Sequence, residues 1–346
     1  MRDDNQSIER GAAALDASSG DARVFAITTD QSDLERAAEG LRKSSNSIVV
    51  VDIDRLLAID FPPMEPMLTP WLCKQHLSMV YAWRGVGKTH FALGVAYAVA
   101  GGGEFLKWKA DKPRRVVYID GEMAGAAIKD RIAAIVASTP DAHEPPEGYF
   151  RIITPDTQNF PLPDLATVAG QNAFAPCIKD AELIVVDNLS CLVRDGDENE
   201  GGSWVPVANW ALKMRNQGKA VLFVHHAGKG GQQRGSSRRE DNMDVVIKLA
   251  HAKDYDAEKG AAFTVNFEKA RHLSGEDARD IEAALLNDEN GRQKWTWKDA
   301  DLGMADRILA LQAECPEMIQ ADIANELGVN RSTVSRALKR LAENAK

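Results

Sequence analysis

Residues 77–89 read Leu77-Ser78-Met79-Val80-Tyr81-Ala82-Trp83-Arg84-Gly85-Val86-Gly87-Lys88-Thr89, and an amphipathic helical pattern, Thr89–Ala100, follows at once. An apolar strand, a glycine-bearing turn and a helix in this order form the G-x-x-x-x-G-K-[ST] phosphate-binding pattern, with Ala82 replacing the first glycine. Gly85 and Gly87 permit torsions that aim successive N–H groups inward at an anion. The helix starting near Lys88 adds its positive dipole end. Lys88 is expected to reach the β- and γ-phosphates, and the Thr89 hydroxyl to ligate Mg²⁺. With Arg84, Val86 and His90, this run is expected to cradle ATP.

Outward from the loop, short β-branched runs alternate with helical stretches. Strands are expected at Leu77–Ala82, Arg115–Asp120, Leu183–Asp187, Ala220–His225 and Phe263–Glu268. Helices are expected at Thr89–Ala100, Gly125–Ala137 and Val205–Gln217. Such alternation predicts an α/β fold with a mostly parallel sheet covered on both faces. Pro155–Pro163 and the acidic stretch Asp195–Gly202 read as surface loops. Ile48–Val51 is a further strand-like run, and the proline-broken Phe61–Pro66 reads as a linker.

Bulk properties bound the function. The 346 residues suffice for one large domain and a smaller one. A net charge of −9 argues against a uniformly basic surface but leaves room for a local basic patch. No run approaches the ~18 apolar residues of a membrane span, so no membrane partner is expected. The polar start Met1-Arg2-Asp3-Asp4-Asn5 lacks a secretory apolar core, which predicts a cytoplasmic protein. Cys73, Cys177, Cys191 and Cys315 share no metal-ligand spacing and read as free thiols.

Three other strand ends carry chemistry. Leu183-Ile184-Val185-Val186-Asp187 ends in a carboxylate positioned to support Mg²⁺ through water. Asp120-Gly121-Glu122 offers a carboxylate that could polarise the attacking water, with Glu122 preferred over Asp120. His225-His226 stands at another strand end, where a histidine can sense the γ-phosphate. The following segment, with Lys229, Arg234, Gly235, Ser236, Ser237, Arg238 and Arg239, reads either as a DNA-contacting loop or as a solvated basic one.

Taken together, Gly85–Thr89, Tyr118–Glu122, Val185–Asn188 and His225-His226 with Arg234–Ser237 resemble the RecA-type core of ring-forming helicases. The set is most similar to the RepA-type plasmid replicative helicases, with DnaB more distant, over roughly residues 65–275. The resemblance implies a RecA-like P-loop core in a homo-hexamer or other ring. Lys88 and Thr89 would hold nucleotide and metal, and Asp187 would support Mg²⁺. Glu122 would activate water, and His225 or His226 would sense the γ-phosphate. Phe267-Glu268-Lys269-Ala270-Arg271 resembles the Lys-x-Arg element that such rings insert into a neighbour's site, with Arg234 a second candidate. Where the family pattern carries a further arginine, this chain has Asp244.

The chain's last part changes character. Residues 304–346 are expected to form a small all-α domain with helices at Ala305–Glu314, Ile319–Glu326 and Arg331–Ala342. Ile319, Ile323, Leu327, Val334, Leu338 and Leu341 suit one small core, and Gly328 suits the sharp turn. The pattern resembles a helix-turn-helix, which would present Arg331, Ser332, Thr333, Ser335 and Arg336 to a DNA groove. A helical protein–protein module is the alternative. The expected organisation is therefore a polar segment 1–45, an ATPase domain 46–300 and a helix-turn-helix 304–346. The segment 1–45 is either a loosely ordered tail or an oligomerisation arm. The expected function is a RepA-like ATP-driven DNA helicase; the alternatives are an ATP-controlled DNA-binding regulator and a non-hydrolysing adaptor.

Overall fold

A computed structural model describes residues 48–194, 204–227, 238–251, 255, 260–287, 289, 292–300, 308, 309, 311, 312, 315 and 317–344. The segment 1–45, the loop 195–202, and Lys229 with Arg234–Ser237 lie outside the described residues, as does most of the helix expected over 305–314. The chain divides into two compact units, Met1–Pro63 and Met64–Lys346.

In the first unit the run Ile48–Val51 is not a strand. Ile48, Val49 and Val50 are exposed coil, so the run gains neither a ladder nor a core. A short helix, Ile53–Ala58, follows, capped by Asp52, whose side chain accepts from the Arg55 amide at 2.9 Å.

The second unit is built on strands β1 (Pro66–Leu68), β2 (Leu72–Cys73), β3 (Leu77–Ala82), β4 (Glu104–Phe105), β5 (Trp108–Lys109), β6 (Val116–Asp120) and β7 (Phe150–Ile153). They continue with β8 (Leu183–Asp187), β9 (Ala220–His226), β10 (Val245–His251), β11 (Ala262–Ala270), β12 (Ile281–Asn287) and β13 (Gln293–Asp299). Nine of these form one sheet in the order β13-β12-β11-β10-β3-β9-β8-β6-β7. From β10 to β7 every pairing is parallel, and β11, β12 and β13 extend the sheet antiparallel. The α/β class with a mostly parallel sheet is thus observed. All five expected strands form, joined by β7, β10, β12 and β13.

Every residue of β3, β6 and β8 is buried, as expected where both faces of a parallel sheet are covered. Alternation divides them between two cores. Val80, Ala82, Tyr118, Val185 and Val224 pack on one side with the helix Lys88–Gly101. Tyr81, Ile119, Val186 and Phe223 pack on the other with the helix Trp204–Asn216. The helix after the loop is not amphipathic as its pattern suggests: from Phe91 to Gly101 it is buried throughout. An aromatic group of Trp71, Phe91, Phe105 and Trp108 caps this side, with Trp71 and Trp108 ring centroids 5.6 Å apart.

Near the C-terminus, helices Gln320–Glu326 and Arg331–Asn344 meet through a turn in which Gly328 takes φ +63°. Ile308, Ile323, Ala324 and Val334 are buried together, with Leu327 and Leu338 packed against them. Ile319 is not part of this core. It precedes the helix, stands 62% exposed, and Met318 packs in its place. Arg331, Ser332, Ser335 and Arg336 are exposed, and Thr333 is half so. Among the described residues no helix is long and apolar enough to cross a membrane.

Candidate active site

The phosphate loop leaves β3 at Ala82 and enters the helix at Lys88. Ala82 ends a regular strand, paired with His226 of β9, so its side chain costs no strain there. Gly85 and Gly87 do adopt positive φ, +79° and +117°, as the anion-cradling reading requires. A Cβ at Gly87 would come within 3.1 Å of the Phe263 ring, so this glycine answers to space as well as torsion. The first amides of the helix lack partners inside it and remain available to an anion. Val86 contributes backbone alone, because its side chain is buried in the core.

A cleft of about 520 Å³ opens over this loop. Arg84, Gly85, Gly87, Lys88, Thr89 and His90 line one side, and Asp120, Glu122, Asp187, Asn188 and His226 the other. These residues come from the C-terminal ends of β3, β6, β8 and β9, the crevice position for ligands in a doubly wound sheet. Lys88 Nζ donates to the carbonyls of Ala82 and Trp83, at 3.2 and 3.1 Å. Burial lowers its pKa, opposed by the carboxylates of Asp187 and Glu122. Burial also pushes His90 down to about 4, with Arg131 adding to the shift, so this imidazole is neutral at pH 7.

The carboxylates divide by surroundings. Asp187 is buried and accepts from Tyr118 Oη at 2.5 Å. Burial raises its pKa to about 6, against the hydrogen bonds from Tyr118 and Thr89. Asp120 is occupied with architecture. It accepts from the amides of Glu122 and Met123 at 3.3 and 3.2 Å, and from Thr154 Oγ1 at 3.2 Å. Glu122 is the freer group: it accepts from the Asn188 side chain and stands 3.5 Å from His226 Nε2. The Asn188 amide lies 3.2 Å from the same histidine nitrogen.

The histidine facing the cleft is therefore His226 and not His225. Side chains alternate along β9, so His226 shares its face with Val224 and the phosphate loop, whereas His225 shares the opposite face with Phe223. His225 is 1% exposed, and its Nε2 lies 2.7 Å from Arg239 Nη1. Arg239 is itself buried, which removes it from the set of solvent-facing basic residues. Burial, then Lys88, holds the His226 imidazole below its usual range.

Lys269 and Arg271 are not in this chain's own cleft. The antiparallel β11 starts beside the phosphate loop, where Phe263 meets Gly87, and ends at Ala270, opposite Val245 at the far end of the parallel strands. There Lys269 donates to the carbonyls of Glu240 and Asp241, and Arg271 donates to Asp241 O at 2.9 Å. Asp244 is a buried carboxylate accepting from the Leu77 amide at 3.0 Å, with Arg215 3.5 Å away. It closes the start of β3.

Sequence reasoning left out Arg131, Met123, Tyr255, Gly260 and Ala261, which complete the cleft. Arg131 lies on the helix Gly125–Ser138, and Tyr255 stacks on His251 with centroids 3.9 Å apart. Neither sits in a local pattern that announces it.

The donor set fits a magnesium–nucleotide pair: an inward-turned glycine loop, a buried lysine, and a hydroxyl beside a buried carboxylate. Among solved structures, a KaiC-like protein from the hyperthermophilic archaeon Pyrococcus horikoshii aligns with a TM-score of 0.44 and 15% identity, over 67% of this chain and 93% of that one. No curated protein matches. Residues 25–232 match the family described as AAA domain. The chain belongs to this AAA domain family of P-loop ATPases.

Proposed function

We propose that the protein is an ATP-hydrolysing, DNA-binding ring ATPase acting as a RepA-like helicase. The observation that carries the hydrolytic part is the grouping of Glu122, Asn188 and His226 on the side of the cleft opposite the loop. In this reading Gly85–Thr89 orients the phosphates by backbone amides and Lys88 neutralises their charge. Thr89 and Asp187 would hold Mg²⁺, which would neutralise phosphate charge when bound. Glu122 takes the proton of the attacking water, held in place by the Asn188 amide. His226 reports the γ-phosphate through a hydrogen bond that is lost after cleavage.

Lys269 and Arg271 supply cations to a neighbouring subunit's site. Their position away from their own cleft supports this, and it requires self-assembly. The exposed face bearing Arg331, Ser332, Thr333, Ser335 and Arg336 supports DNA contact by a helix-turn-helix within residues 304–346. That same face favours a second reading, an ATP-controlled regulator without unwinding activity.

Strand separation on a forked duplex decides between them, with Lys88→Ala as control. ATP-dependent unwinding absent from the control supports the motor. Hydrolysis with DNA binding and no unwinding at any protein concentration favours the regulator and removes the helicase.

A further inference from the structure

Three side chains that the nucleotide cleft does not use converge near the start of β3, at the other end of the sheet. Cys73 ends β2, His76 directly precedes β3, and His272 follows β11. One potential ligand atom from each lies within 4.8 Å of the others. Cys73 Sγ is 3.9 Å from His272 Nε2, and that nitrogen is 3.2 Å from the Pro70 carbonyl oxygen. The two imidazoles meet edge-on, with centroids 4.6 Å apart. Cys73 is 2% exposed, His76 is 5% exposed, and His272 is half-buried.

A plain packing explanation accounts for part of this. Cysteine is a small apolar residue, and buried histidines are common when hydrogen-bonded. Yet Nδ1 of His76 is buried with no hydrogen-bond partner, a condition that costs on the order of 1–3 kcal/mol. The Asp244 carboxylate acts on both Cys73 and His76, and Arg215, 3.5 Å from that carboxylate, opposes it at His76. A thiol and two imidazoles whose ligand atoms lie within 4.8 Å of one another are a donor set for a borderline-soft cation.

We propose that Cys73, His76 and His272 form a Zn²⁺-binding site, with solvent in the fourth position on the half-open His272 side. Tetrahedral bonds to sulfur and nitrogen place ligand atoms roughly 3.3–3.7 Å apart, so the set closes by about 1 Å through side-chain torsions. On binding, the Cys73 S–H bond breaks and its proton leaves to solvent while the S–Zn bond forms. Each imidazole gives a lone pair, and nothing is oxidised or reduced. The thiolate offsets one of the dication's two charges. The ion would tie β2, the start of β3 and the end of β11 together, fixing the segment that carries Lys269 and Arg271.

Full-length protein stripped with chelator and titrated with Co²⁺ tests the site. The expected result is one Co²⁺ per chain with a sulfur-to-cobalt charge-transfer band, bleached by added Zn²⁺. Cys73→Ser should abolish that band, and His272→Ala should weaken binding by more than about tenfold. Lys88→Ala should leave both unchanged, which separates this site from the nucleotide cleft. Absence of the thiolate band in the parent protein overturns the proposal. So does a band that persists in Cys73→Ser, or unaltered affinity in His272→Ala, whose half-buried position makes misfolding a weak explanation.

Discussion

The Tyr118 hydroxyl donates to Oδ2 of Asp187 at 2.5 Å, between the neighbouring strands β6 and β8. Burial has moved the Asp187 carboxyl from 3.8 to about 6, and this phenol is the first of the groups that limit the rise. If Asp187 must be an anion to hold Mg²⁺, Mg²⁺-dependent hydrolysis should climb with pH through about 6. Tyr118→Phe should move the midpoint upward by removing a donor to the charged form. A rate–pH profile of both proteins checks this; superimposable profiles would contradict it.

The same carboxyl has a consequence for stability. Its folded pKa lies above the unfolded value, so its contribution is fully present below about 4 and is lost as pH rises through about 6. Asp187→Asn should therefore raise stability at pH 7–8 by on the order of 2 kcal/mol, with the gain vanishing near pH 4. Magnesium-dependent turnover should disappear in the same variant. Thermal melts across that pH range, paired with hydrolysis rates, measure both effects.

Glu122 and His226 share one edge of the cleft, and their variants should differ in kind. Glu122→Gln should bind nucleotide normally and lose about 10²–10⁴ in turnover. His226→Ala should slow hydrolysis, whereas His225→Ala should lower the melting temperature through its buried contact with Arg239. Lys88→Ala should lose nucleotide binding outright. Fluorescent-nucleotide titration and steady-state rates separate these outcomes, and normal turnover in Glu122→Gln would remove it as the base.

Deleting residues 304–346 should weaken duplex affinity while sparing basal hydrolysis. Arg331→Ala and Arg336→Ala should each reduce the salt dependence of binding by about one unit of slope. Affinity measured at several salt concentrations provides the check. A slope unchanged in both variants would take them off the DNA.

The loop and its companion strands were legible because each strand runs between two cores. Leu77–Ala82 and Leu183–Asp187 need apolar side chains on both faces, and that shows in one dimension. β13 was not found: it is an edge strand, its alternation rests on Trp295 and Trp297, and Trp297 is exposed. Sheet order is not written locally, so the placement of β10 beside β3 had no sequence signature. The choice between His225 and His226 was available from the period of two, counted from Val224, but only once the loop's face was fixed. Cys73 and His76 are near neighbours, but His272 lies 199 residues beyond Cys73, and only the antiparallel return of β11 brings it to them.

That return has one more consequence. Phe263 touches the phosphate loop while Lys269 lies six residues further along the same strand, roughly 20 Å away. The β10–β11 ladder spans the gap, so these cations stand at the opposite end of the strand from the chain's own phosphate loop. Where catalysis depends on them, activity per chain should grow with protein concentration and flatten once assembly is complete. Dilution itself would then act as the off-switch.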